Sequence, residues 1–248
     1  MIVLVSGVRV KVPVNPGVLQ VAGSEDMGAR GRTISILMAV QAVGALLVVL
    51  LGEHTVRAVT VTLDGQPTTT LSHVDLGVAM VVVLALSALA WATSSRGQGT
   101  SPRGQGTSSW WSGALDPLLT TPITVFVIAQ LNGVRDVGAL VGVYALASAG
   151  VLFALVQRRD ERSVGGSRVT LGLGSAVGIV PWGIVAFHQV GAGFVGHPLP
   201  GIVVVVTLTA LAAAIAEFVA TWRRRPVAAS LLRAAGFSLV AWLVVAAV

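Results

Sequence analysis

Residues 226–248 read PVAASLLRAAGFSLVAWLVVAAV, and this stretch decides the class of fold. It holds a single charged side chain, that of Arg233. A helix of about 20 mostly apolar residues is long enough to cross the hydrocarbon core of a bilayer, because each residue adds about 1.5 Å along the axis. The stretch is therefore predicted to be a membrane-spanning helix.

Six further stretches of the same kind precede it: residues 33–52, 76–93, 115–131, 137–157, 169–190 and 198–222. Apolar residues make up 54% of the chain and charged residues 10%, whereas a soluble domain has about 25% charged residues. Continuous apolar runs fit helices better than the short alternating strands of a membrane barrel. We therefore predict an all-α membrane protein, with a seven-helix domain over residues 33–248 behind an arm at residues 1–32.

The positive charges predict how the bundle is oriented. They concentrate in the arm and in the loops after spans two, four and six, whereas the loops on the other side hold only Arg57 and Arg135. Because Arg and Lys stay on the cytoplasmic side, we expect a cell-membrane protein with a cytoplasmic amino terminus and an extracellular carboxyl terminus. Charges scattered over several short loops argue against nucleic acid as a partner and leave the lipid bilayer as the expected one.

The segments between the spans differ in character. In the outer loop, residues 53–75, two runs rich in valine and threonine flank Asp64-Gly65, which predicts a small extracellular β-hairpin. Pro67 weakens the start of its second strand. Residues 94–109 contain RGQGTS twice and are predicted to be a flexible cytoplasmic loop. The arm lacks the apolar core of a signal peptide, and Met27 is an alternative start of the chain.

The sequence offers little catalytic or metal-binding chemistry. It has no cysteine, and its four histidines fall at or beyond the outer ends of the spans without metal-ligand spacing. Serine-hydrolase, zinc-protease and phosphate-loop motifs are missing from it. We therefore expect no enzyme activity, no metal site and no bound cofactor.

Three ionisable residues fall inside the spans, where such residues are functional candidates by default. Asp116, Glu217 and Arg233 each lie roughly 8 to 10 Å from the cytoplasmic end of their span. Opposite charges in hydrocarbon are much less costly when paired. The hypothesis is that Arg233 pairs with Asp116, with Glu217 as a second partner.

Each of these residues also has a plainer interpretation. Asp116 precedes Pro117, a pairing typical of a helix start with aspartate as the N-cap. Glu217 is close enough to the end of span six to reach the arginines that follow it. The Arg233 side chain can extend to the cytoplasmic headgroups. These alternatives stay open at the level of sequence.

Short motifs in the spans and the turn after span three resemble those of the heliorhodopsins, relatives of the microbial rhodopsins with a cytoplasmic amino terminus. In chain order they are residues 37–41 (LMAVQ), 86–91 (LSALAW), 115–116 (LD), 120–122 (TTP), 133–136 (GVRD), 180–182 (VPW) and 238–242 (SLVAW). Their order and spacing, rather than any one of them, carry the resemblance over about residues 30–248. It implies a rhodopsin-like bundle with inverted topology, an outer hairpin and homodimers.

The main departure from that family concerns retinal. The resemblance places the retinal-bearing lysine directly before the serine of the last motif, and this position is Phe237 here. The only lysine in the chain, Lys11, precedes the first span. The sequence therefore predicts a protein that cannot bind retinal covalently.

The resemblance also names the residues that would border the former retinal pocket. The pocket candidates are Met38, Trp91, Thr120, Thr121, Trp182 and Phe237. The counterion-like or buried polar candidates are Asp116, Arg233, Glu217 and Gln41. Among these, Met38 and Trp91 stand where the family has histidines, and Asp116 stands where it has a glutamate counterion.

Two kinds of function fit these observations. The first is a non-photochemical sensor, or a ligand- or partner-binding membrane protein that contacts a cytoplasmic protein through its loops. The alternative is a transporter or channel for a small solute or ion. The spans show no recognisable inverted repeat and little polarity at mid-depth, which favours the first.

Overall fold

The structure is a computed structural model of the chain. It describes residues 2–5, 8–11, 16–52, 56–62, 64, 67–96, 108–160 and 168–247. Among these, the side chains of residues 2–5, 8–11, 16–28, 30, 95–96, 108–113 and 158–160 are left undescribed. The predicted turn residue Gly65 and most of the predicted loop at residues 94–109 lie outside the described residues.

Eight helices and two hairpins follow one another along the described chain. The hairpins are β1 (Ile2–Val5) with β2 (Val8–Lys11) and β3 (Val56–Val61) with β4 (Thr69–Asp75). The helices are α1 (Pro16–Leu51), α2 (Leu76–Arg96), α3 (Ser108–Leu131), α4 (Val137–Asp160), α5 (Val169–Gly178), α6 (Val180–Phe194), α7 (Gly201–Trp222) and α8 (Pro226–Ala247). Together α5 and α6 form one span, so the described residues contain seven membrane-spanning candidates and the predicted count is confirmed.

The first helix starts well before the predicted span. It begins at Pro16, a residue suited to the first helical position because its fixed φ fits a helix and its missing N–H would have no partner there. The part long and apolar enough to cross a membrane is Gly31–Leu51, near the predicted limits. The predicted arm therefore contains the β1–β2 hairpin and the polar first half of α1.

The third span is the centre of the bundle. In α3, 67% of the membrane-spanning window is buried, against 17% in α4. It packs against α2, α4, α6 and α7, while α8 packs against α7, α2 and α1. Buried Met80, Leu84 and Ile128 belong to this core, and large apolar side chains such as Ile36 and Val40 are exposed on outer faces, where a bilayer would contact them.

Two prolines lie inside α3 and correct the expected helix start. The helix begins at Ser108 and continues through Pro117 and Pro122, so Asp116 is not an N-cap. A membrane helix tolerates interior proline where hydroxyl groups bond to the backbone. Here Thr120 Oγ1 donates to the Asp116 carbonyl at 2.5 Å, and Thr124 Oγ1 donates to the Thr120 carbonyl at 2.8 Å.

The fifth span, predicted as one helix, is broken at Ile179 between α5 and α6. Pro181 has no N–H to donate to the carbonyl four residues earlier, and its ring crowds that carbonyl. Helical bonding resumes at once, because Ile179 N donates to the Ser175 carbonyl at 3.0 Å and Gly183 N donates to the Ile179 carbonyl at 3.1 Å. The span therefore consists of two helices that meet at Ile179, with helical hydrogen bonds on both sides of the break.

The β3–β4 hairpin lies at one end of the bundle, called here the hairpin end. Its strands are antiparallel, and β4 begins two residues after Pro67, as the proline predicts. Thr60 N donates to the Arg135 carbonyl at 2.8 Å, which attaches the hairpin to the turn between α3 and α4. That turn depends on Gly133, whose φ of 89° is unfavourable for other residues.

Candidate functional site

The charged residues of the last two spans form an ion pair inside the protein. Arg233 Nη2 on α8 donates to Glu217 Oε1 on α7. The two side chains are 9% and 23% exposed, so both charges lie largely out of solvent. The alternatives in which Glu217 reaches the following arginines and Arg233 extends to the headgroups are therefore wrong, because the two side chains pair with each other within the bundle.

Small residues explain why these two side chains meet. A Cβ atom on Gly236 would lie 2.8 Å from Ala213 Cβ, closer than packed atoms tolerate, so α7 and α8 approach as closely as glycine allows. Residues three or four apart share one face of a helix. Arg233 is therefore on the face of Gly236, and Glu217 is on the face of Ala213, both displaced toward the end opposite the hairpin.

Asp116 is the third charged residue of the site, on α3. Its side chain is 7% exposed, Ser87 of α2 faces it, and it interacts electrostatically with Arg233 and Glu217. It forms no ion pair with Arg233, and its Oδ1 atom accepts no hydrogen bond. The structure thus corrects the hypothesis: the direct partner of Arg233 is Glu217, because α8 packs extensively against α7 and only slightly against α3.

A cavity of about 60 Å³ lies beside the ion pair, between α3, α6, α7 and α8. Of the candidate residues, it is lined by Thr121, Trp182, Glu217, Arg233 and Phe237. Pockets for cofactors or drug-sized ligands are roughly 300–1,000 Å³, whereas a water molecule occupies about 30 Å³ in the liquid. The cavity therefore has room for a few water molecules or a very small ligand.

The remaining candidates are not among the residues that line this cavity. Met38 belongs to the apolar core and is 1% exposed, and the hydroxyl of Thr120 is bonded within α3. Trp91 Nε1 is buried without a hydrogen-bond partner. Gln41 Oε1 accepts a hydrogen bond from Ser238 Oγ, which links α1 to α8 directly beside Phe237.

Sequence reasoning missed three residues of the site. Ser87 precedes Trp91 by one helical turn, and Thr124 follows Thr120 by one turn, so helical spacing from the chosen candidates would have found both. Thr124 and Gly236 line the cavity. Gly236 adjoins Phe237, but its close contact with Ala213 of α7 is visible only in three dimensions.

The chemistry of the site is that of a buried charge cluster. It combines one guanidinium, which stays protonated at any ordinary pH, with two carboxylates on different helices. Within the described part of the chain, no group of three histidine, aspartate or glutamate side chains is placed to hold a metal ion. The arrangement can hold a fixed positive charge between two acceptors and order polar molecules next to it.

Comparison with known protein families matches residues 31–221 to the family described as Heliorhodopsin. The matched range includes Asp116 and Glu217 and ends before α8, which carries Arg233 and Phe237. A comparison with curated proteins finds no match. Because the matched residues make up well over half of the chain and coincide with six of its seven spans, the chain belongs to the heliorhodopsin family.

Proposed function

We propose that this heliorhodopsin works without a retinal Schiff base, as a non-photochemical sensor or binding protein of the membrane. The observation that carries the proposal is the position of Phe237. By the resemblance of the last motif it stands at the retinal-lysine position, and it lines the same small cavity as Arg233 and Glu217. A phenyl ring offers no amine, and Lys11 precedes the first span.

Arg233 supplies the positive charge that a protonated retinal Schiff base would otherwise supply. A protonated Schiff base is a positive charge inside the bundle that acidic side chains must balance. Arg233 precedes Phe237 by one turn on the same face of α8 and presents its charge to Glu217 directly and to Asp116 at longer range. This charge does not depend on a chromophore, so the cluster keeps its electrostatic balance in the dark and in the light.

The size of the cavity also favours a function without retinal. A long polyene needs a pocket several times larger than the about 60 Å³ found here. A small polar ligand near Arg233 suits this cavity better, and a protein partner on the cytoplasmic loops does not depend on the size of the cavity. The orientation belongs to the same proposal: the end opposite the hairpin, which carries the arginines of the α7–α8 turn, faces the cytoplasm.

The test uses full-length protein in lipid nanodiscs, incubated with all-trans retinal in the dark and then reduced with borohydride. We expect no visible absorption band and no retinyl-lysine peptide on mass spectrometry. Proteoliposomes of the same protein, assayed for proton, sodium and chloride flux with and without light, should show none. A retinyl adduct would overturn the proposal, and a flux above that of empty liposomes would support the transporter alternative.

A further inference from the structure

Four arginine side chains gather at the end of the bundle opposite the hairpin. Arg168 directly precedes α5, and Arg223, Arg224 and Arg225 form the turn between α7 and α8. We call these four residues the arginine rim. All are exposed. Arg168 Cζ lies 5.1 Å from the centre of the Trp222 ring at the end of α7, so segments far apart in sequence build one basic surface.

Trp222 indicates the depth of this surface in a membrane. Its side chain is 40% exposed, and its ring packs against that of Phe218, one turn earlier in α7, with ring centres 5.9 Å apart. Tryptophan at the end of a span sits at the level of the lipid headgroups. A guanidinium over its face is held there by a cation–π interaction. The arginine rim is therefore placed at headgroup level.

The charge of the rim is not balanced by the described carboxylates. Among the residues whose side chains the structure describes, the rim arginines form no ion pair, and the single carboxylate of α7, Glu217, is engaged by Arg233. Both α5 and α8 begin beside the rim. The amino-terminal ends of helices carry partial positive charge, which adds to that of the guanidinium groups. The surface is complementary to anions.

The backbone of the turn supports a role for these arginines beyond closing the helix. Arg224 N donates to the Thr221 carbonyl and Arg225 N to the Ala220 carbonyl, both at 2.9 Å, which is the Schellman pattern at a helix end. That pattern places Arg224 at a φ of 55°, where glycine is favoured. Strained residues of this kind often accompany function. Glycine would relieve the strain but would remove a charge from the rim.

We infer that the arginine rim binds the phosphate headgroups of anionic phospholipids in the leaflet that this end of the protein faces. The planar guanidinium donates two parallel hydrogen bonds to a phosphate and suits this contact better than a point charge. An arginine near an anionic membrane surface contributes roughly a fivefold gain in affinity. The inference concerns a different surface from the cavity and holds whether or not the proposed function is correct.

The experiment titrates full-length protein in neutral detergent with phosphatidylglycerol or phosphatidylcholine, with bound lipids counted by native mass spectrometry. We expect tighter binding of phosphatidylglycerol. The double variant Arg223→Gln with Arg225→Gln should bind phosphatidylglycerol roughly 25-fold more weakly, since each arginine contributes about fivefold. Arg135→Gln removes the same charge from an exposed position at the hairpin end and should leave binding unchanged. Equal phosphatidylglycerol affinity in the double variant and the parent would overturn the inference.

Two further arms distinguish lipid binding from a purely structural role of the turn and from binding of free phosphate. Arg224→Gly should lower phosphatidylglycerol affinity roughly fivefold, while the melting temperature in lipid-free detergent stays equal or rises because the strain is relieved. A fall in that melting temperature together with unchanged affinity would contradict the inference.

The second experiment adds inorganic phosphate in place of lipid. If it raises the melting temperature as much as phosphatidylglycerol does, the rim is a free-phosphate site and the lipid assignment is wrong.

Discussion

Arg233 on α8 and Glu217 on α7 form an ion pair within the membrane-spanning bundle, one helical turn from Phe237. The pair connects the last two spans about one helical turn from the close approach of α7 and α8 at Gly236. A buried guanidinium is tolerable while its partner is present and costly once that partner is removed. The protein should therefore be less stable when one member of the pair is removed than when both are present or both are removed.

Replacing one member of the pair should destabilise the protein more than replacing both. Arg233→Leu or Glu217→Leu leaves an unpaired charge largely out of solvent, and we expect each to lower the free energy of unfolding by about 3 kcal/mol. The double variant should recover much of that loss. Unfolding by a denaturing detergent, starting from a mild one, measures these free energies for all four proteins.

A double-mutant cycle of Asp116 and Arg233, measured in the same way, is the control. Asp116→Leu combined with Arg233→Leu should show a smaller coupling free energy, because Asp116 interacts with Arg233 without an ion pair. Strictly additive losses in the Glu217 cycle, or a larger coupling in the Asp116 cycle, would show that the pair does not form as described.

A lysine at position 237, where the resemblance of the last motif places the retinal lysine, should not create a pigment. Phe237→Lys supplies an amine, but it faces a cavity of about 60 Å³ and lies one turn from a fixed positive charge, which disfavours a second cation. We expect no stable visible absorption band after incubation with retinal. Phe237→Met, expressed in the same way, controls for folding. A band in the lysine variant that survives purification would show that the pocket opens readily.

Two glycines of α5 should respond oppositely to the same substitution. A Cβ on Gly174 would lie 2.7 Å from Phe153 Cβ of α4, so Gly174→Ala should cost about 1 to 3 kcal/mol in stability through overpacking. Gly172 has open space around it, and Gly172→Ala should be neutral or stabilise the helix by up to about 1 kcal/mol. Melting temperatures of the two variants check this, and equal losses would indicate that α4 and α5 pack differently.

Reporter fusions should reveal the orientation. A reporter that is active only outside the cytoplasm should work when fused after Val248 and fail when inserted between residues 94 and 109. The physical reason is the strong excess of arginine at the end opposite the hairpin. The reverse pattern of activity would show that the bundle has the opposite orientation, with the arginine rim in the outer leaflet.

Some features of the site could be predicted from the sequence because they depend only on how deep each residue lies within its span. Rise per residue places Asp116, Glu217 and Arg233 at similar distances from one end of the bundle, and the structure brings the three into electrostatic contact. Which two touch depends on how each helix is rotated and which neighbours it has. Pro117 likewise suggested a helix start after Asp116, but α3 begins at Ser108 and runs through the proline. Hydroxyl bonds from Thr120 and Thr124 to the backbone support this interior position.

The sequence by itself determined that the chain is a seven-span membrane protein, because the length of each apolar run is set by bilayer thickness and requires no knowledge of its neighbours. It also indicated the family, through motifs whose order does not depend on packing. Only the tertiary structure decided that Glu217 rather than Asp116 holds Arg233 and that the space beside Phe237 is small. Both follow from the close approach of α7 and α8 at Gly236, a contact between residues of two helices that neither helix encodes alone.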